Sequence, residues 1–325
     1  METADVAALK TAAIAGLKTS QLLALRSDQM TALTSAQLYG LNSSQLSMLA
    51  ATQVAALSTQ DLAVLRPDVL AAAARSGNLL AAMGGAQLQA LTTAQFAAFG
   101  SQALSQLTTT AIGSIEAADV AALGTGVIRA LTNAQMKALT AAQFAALRTA
   151  QIAAIAADNS GDQFTSAQMA ALSAPQLGAM STSLLASLSA ANVAAIEAVD
   201  IAALSTRQIT VLGTDQMRAM SVAQLAAFTT AQAHALVAQQ YNTLSAEQKA
   251  AFGTAQIAAM PFVTPLVLDL DGNGIATVGL DAGVRFDLAA QGATRATGWV
   301  GSGDGDGDGV DVKQGTQGAA WRRRS

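Results

Sequence analysis

Leu131-Thr-Asn-Ala-Gln-Met-Lys-Ala-Leu139 sets Met136 and Leu139 three positions apart, puts Gln135 directly before the first, and is followed by the same arrangement in Thr140-Ala-Ala-Gln-Phe144. The pattern continues in steps of eight from Val6/Leu9 to Leu70/Ala73, from Leu80/Met83 to Ile152/Ile155, and from Met169/Leu172 to Ile257/Met260. Its phase slips at Arg75-Ser-Gly-Asn78 and at Ala157-Asp-Asn-Ser-Gly-Asp162, both rich in turn formers. These read as loops within one array covering residues 1–260.

A period of eight fits no continuous regular element. At about 100° per residue an octad overshoots two helical turns by about 80°, so an apolar stripe would spiral around the rod. In a strand, spacings of three and five put successive apolar residues on opposite faces. The chain must restart every eight residues, and Ser/Thr-x-x-Gln supplies the restart. In a capping box the N-cap hydroxyl accepts from the N3 amide, and the N3 Gln reaches back to the N-cap amide. The pairs are Thr92/Gln95, Thr132/Gln135, Thr140/Gln143, Ser173/Gln176, Ser205/Gln208, Ser221/Gln224, Thr229/Gln232 and Ser245/Gln248. Gly84, Gly100, Gly124, Gly213 and Gly253 occupy the cap slot, where tolerance of positive φ after a helix end is the expected reason for Gly. Pro67 and Pro175 fall in predicted first turns, where a missing amide costs nothing.

A helix of about six residues cannot pay for its own nucleation. The expected fold class is therefore mainly α: a solenoid of short capped helices with an eight-residue repeat, joined to a small β/loop C-terminal module. The number of octads per superhelical turn does not follow from the period. For the Gln column the expected role is capping, against the alternative of a repeated Gln/Thr surface that binds a ligand.

Composition narrows the function. The chain has 325 residues, 52% hydrophobic, 12% charged and 4% aromatic, and much of the apolar share is Ala. Ser, Thr or Gln interrupts every octad, so no run approaches the roughly 18 apolar residues of a membrane span. Met1-Glu-Thr-Ala-Asp5 does not read as a cleavable secretory signal. With no Cys there is no thiolate chemistry, no disulfide and no Cys-based zinc site. The one His, His234, reads as a solvated surface residue. A net charge of -4 excludes the basic stripe that a nucleic-acid partner requires. Leu91-Thr-Thr-Ala-Gln-Phe96 resembles the opening of a TAL-effector repeat, but that likeness covers one helix start and carries no base-reading loop.

Past Pro261 the composition changes, and residues 261–325 read as a separate Asp/Gly-rich module. Leu266-Val-Leu-Asp269 reads as a strand entering a loop. The loop sets Asp269, Asp271 and Asn273 at positions 1, 3 and 5, Gly274 at position 6, and the Ile275 carbonyl at position 7, as in the first half of an EF-hand calcium loop. Leu280 stands where the bidentate Glu would be, with Asp281 or Asp287 as substitutes. Asp304, Asp306 and Asp308 repeat the spacing. Carboxylates so close repel one another unless a divalent cation neutralises them, the alternative being an acidic linker.

Pro265 to Ile275, followed by Gly283-Val-Arg-Phe-Asp287 and Thr297-Gly-Trp-Val300, resembles a segment of RTX-type, haemolysin-type calcium-binding bacterial proteins. That resemblance implies calcium as the bound ion, Asp269, Asp271 and Asn273 among its ligands, and secretion by a type I-like route independent of a signal peptide. After Trp299 the chain departs from that pattern. The expected function is a non-enzymatic secreted or cell-surface protein, adhesin-like or a stalk, with calcium bound at the Asp loops and a protein or cell-surface partner on the solenoid. The alternative is a secreted RTX-like toxin or membrane-active protein.

Overall fold

The computed structural model describes residues 1–76, 79–157 and 163–262, together with the backbone of four two-residue strands beyond them. Among the described residues, 29 α-helices and two 3-10 helices follow one another along the array. Most are five or six residues long, one per octad. The longest, Pro67–Ser76, runs into the first phase slip.

One octad explains the rest. Helix Asn133–Ala138 starts after Thr132, whose φ of -69° and ψ of 160° are extended. The Thr132 hydroxyl accepts from the Gln135 amide at 3.3 Å, and Gln135 Oε1 accepts from the Thr132 amide at 3.1 Å. Leu139 then turns extended and ends the helix, its amide bonded back to the Met136 carbonyl at 3.2 Å. All eight predicted pairs place the Gln oxygen on the N-cap amide. Pro67 opens its helix and Pro175 sits in the first turn of Ala174–Ala179.

The glycine expectation is corrected. Gly84, Gly100, Gly124, Gly213 and Gly253 are N-cap residues with φ between -66° and -87°, so none uses the left-handed region. The slot demands extended backbone, open to any L-residue, and Gly is acceptable there as a weak N-cap. A Cβ on Gly84 or Gly124 would meet nothing within 4 Å.

Met136 and Leu139 are 1% and 4% exposed, and the equivalent residues of other octads form one continuous apolar core. Aromatic rings join it edge to face, as with Phe144 and Phe164 at 5.5 Å between centroids. Each helix packs on the helices about three octads away: Asn133–Ala138, for example, lies against Thr109–Ser114. Packing is thus between near neighbours in sequence, the quasi-one-dimensional order of a solenoid. Among the described residues no helix is long and apolar enough to cross a membrane.

Beyond the array, β1 (Thr277–Val278) pairs antiparallel with β4 (Trp299–Val300), and β2 (Arg285–Phe286) pairs with β3 (Arg295–Ala296). The two ladders are nested in sequence. The strand expected at Leu266 to Asp269 lies outside the described residues.

Candidate functional site

The most organised polar chemistry in the described chain is the Gln column, and its geometry exceeds the expected cap. Gln135, 4% exposed, uses its oxygen for its own N-cap while Nε2 donates at 2.9 Å to both the Leu104 and Leu107 carbonyls, 31 and 28 residues back. Those carbonyls belong to the end of an earlier octad. One side chain therefore caps the start of one helix and the end of another helix lying one superhelical turn away.

The motif recurs. Gln37 reaches Val6 and Leu9, Gln143 reaches Ile112 and Ile115, Gln224 reaches Val193 and Ile196, and Gln240 reaches Ile209 and Leu212. The span of 28 to 31 residues puts between three and four octads in each superhelical turn. Gln87 and Gln95 reach 33 and 30 residues back, because the first phase slip adds two residues to their turn.

Only an amide can fill this slot completely. Its carbonyl takes one donor and its NH₂ gives two, so all polar atoms of a buried side chain are matched. Asn192, one methylene shorter, reaches the Phe164 carbonyl alone at 3.2 Å. The sequence carried a sign of this second duty. Gln persists at Gln29, Gln53, Gln87, Gln151 and Gln240, where the N-cap is Arg26, Ala50, Gly84, Arg148 or Val237 and offers no hydroxyl to complete a box.

With both ends of the amide engaged and the side chains buried, the column is no ligand surface. Asp119 occupies the same slot, 3% exposed. Burial pushes its carboxyl above the usual 3.8; a hydrogen bond from Thr93 acts the other way, and the negative charge of Glu116 adds to the rise. His234 is exposed, as expected, yet not simply solvated: Nδ1–H donates to the Ala259 carbonyl at 2.7 Å, 25 residues on. Lys249 was not anticipated. It fills an apolar slot at 7% exposure, with its ammonium 5.3 Å from the Tyr241 ring centroid.

The predicted calcium ligands Asp269, Asp271, Asn273, Ile275, Asp304, Asp306 and Asp308 lie outside the described residues. The strands that flank them are described. Thr277, two residues after Ile275, is paired with Val300, four residues before Asp304.

Family comparison divides the chain similarly. A family described as the ALTTAQ repeat matches residues 1–35, 112–149 and 193–230, which gives the octads a family likeness that the sequence reading had left open. A family described as the SPM domain matches residues 266–310, the segment expected from its motifs to be of the haemolysin type. No curated protein matches the chain.

Proposed function

We propose that the chain is a non-enzymatic, secreted structural or interaction protein, in which the octad array is a stalk or scaffold and the C-terminal Asp loops hold calcium. The observation that carries the scaffold half is the consumption of the Gln column by backbone groups. The side chains that repeat most regularly are spent on joining one turn to the next, which suits a protein whose repeats extend a rod. What the outer surface offers a partner is mostly Ala, Ser and Thr with scattered single charges.

The calcium half rests on donor chemistry. Asp269, Asp271, Asn273 and the Ile275 carbonyl are all hard oxygen donors, with no sulfur or imidazole in the set, which favours calcium over zinc. The Thr277–Val300 pairing supports a shared role for the two Asp loops, since both loops adjoin the same end of the β1–β4 ladder in sequence. Calcium would offset the repulsion among carboxylates and couple its binding to the ordering of these loops.

Calorimetric titration of the full chain with calcium tests this reading. Binding that is lost in Asp269→Ala/Asp271→Ala supports it, and heat unchanged by that pair of substitutions overturns the calcium assignment. The motifs shared with RTX-type proteins favour one rival, a membrane-active protein. Leakage of a dye from liposomes on adding the calcium-loaded protein would replace the scaffold with that rival.

A further inference from the structure

The cross-turn amides are not continuous along the array. Four consecutive octads carry Ala103, Ala111, Asp119 and Val127 in the Gln slot, and three more carry Leu184, Asn192 and Asp200. Apolar side chains have no donor to give, and a carboxylate set against carbonyls is an acceptor facing acceptors. Since a superhelical turn holds between three and four octads, each interruption removes the amide ties from nearly a whole turn. Across the second, among the described residues, the slot side chains keep one such bond, from Asn192 to Phe164. A third interruption, at Asp61, Val69 and Leu79, lies around the longest helix. Asp61 turns both of its bonds to its own N-cap, Ser58.

A second observation falls on the same places. Among the described residues, the buried side-chain atoms without a hydrogen-bond partner are Arg66 Nε, Gln106 Oε1 and Gln163 Oε1. Arg66 lies within the interruption at 61–79 and Gln106 within that at 103–127. Gln163 lies in the turn on which Leu184 to Asp200 stack. The stretch tied by Gln208 to Gln256 has none among these atoms, whereas Gln106 lies between the Leu104 and Leu107 carbonyls that Gln135 ties from the following turn.

We propose that the interfaces between these turns and the turns before them are seams, dividing the solenoid into rigid stapled blocks and serving as the places where it bends and first opens. On their other side the turns at 103–127 and 184–200 are tied to the next turn by Gln135 to Gln151 and Gln216 to Gln232. The apolar core runs through every seam, so the blocks stay in contact. What the seams lack is the paired amide bonding that fixes one turn's register on the next; single bonds, from Thr93 to Asp119 and from Asn192 to Phe164, cross the first two. A rod built this way yields at set points along its length and keeps its stapled turns intact, a useful property for a tethered scaffold under load.

Native-state hydrogen exchange on the full chain tests the proposal. Two net hydrogen bonds are missing per octad, so amides of 103–131 and 184–204 should open at least about tenfold more readily than those of 135–155 and 208–252. Ala111→Gln/Asp119→Gln should restore ties to the Leu80, Met83, Leu88 and Leu91 carbonyls and slow exchange across the first of these seams by about tenfold. Gln143→Ala should instead create fast exchange inside a block. Equal protection in seams and blocks of the unaltered protein overturns the proposal, and so does a restored Gln pair that folds without slowing exchange.

Discussion

A single Gln in this array does the work of three polar contacts, so its loss should outweigh that of its capping partner. Gln143 bonds the Thr140 amide and the Ile112 and Ile115 carbonyls, whereas the Thr140 hydroxyl receives only the Gln143 amide. Gln143→Ala should cost about 2–4 kcal/mol in a denaturant titration, against about 1 kcal/mol for Thr140→Ala. Equal losses would mean that the cross-turn bonds add little. Asp119 gives a residue-scale test with a sign. Its carboxyl titrates above the ordinary 3.8, so the folded chain holds the proton more tightly than the unfolded chain does. Its contribution is most favourable below 3.8 and is lost as pH rises through the raised value. Asp119→Asn should therefore stabilise the protein at neutral pH relative to the unaltered chain, and the gain should shrink on acidification. Thermal melts at two pH values would read it.

At the scale of the element, a helix this short depends on its ends. Helix Thr125–Arg129 starts from Gly124, whose extended backbone suits any residue and whose missing Cβ faces open space. Gly124→Ser would place a hydroxyl within reach of the Val127 amide and narrow the unfolded ensemble, so a gain of about 0.5–1 kcal/mol is expected by denaturant melt. No gain would imply that this helix start is held by packing alone. The helices themselves were legible from spacing, caps and Pro positions, because those are local signals with one local solution. Gly misled for the same reason: the residue tolerates several conformations, and its identity does not say which one the neighbours impose. Lys249 in a core slot could not be read locally either, since its acceptance depends on the Tyr241 ring one octad away.

Across the whole molecule, the octad is the unit of exchange. Removing Thr214–Ser221, one full period, should leave the remaining octads in phase and the helical circular dichroism per residue nearly unchanged, with a modest fall in melting temperature. Removing only Thr214–Met217 should shift Gln224, Gln232 and Gln240 off their carbonyls and cost far more. Similar losses from the two deletions would show that phase is unimportant to stacking. The sequence alone determined that the chain restarts every eight residues, that each octad is a capped helix with two core residues, and that a chemically different module begins after Met260. Those conclusions need only periodicity and the bonding habits of backbone amides near a hydroxyl. The tertiary structure decided how many octads make a turn, and hence that a Gln amide such as that of Gln135 meets carbonyls 28 and 31 residues behind it. No local rule fixes that distance, because it is set by how the apolar pairs of successive helices close around one core.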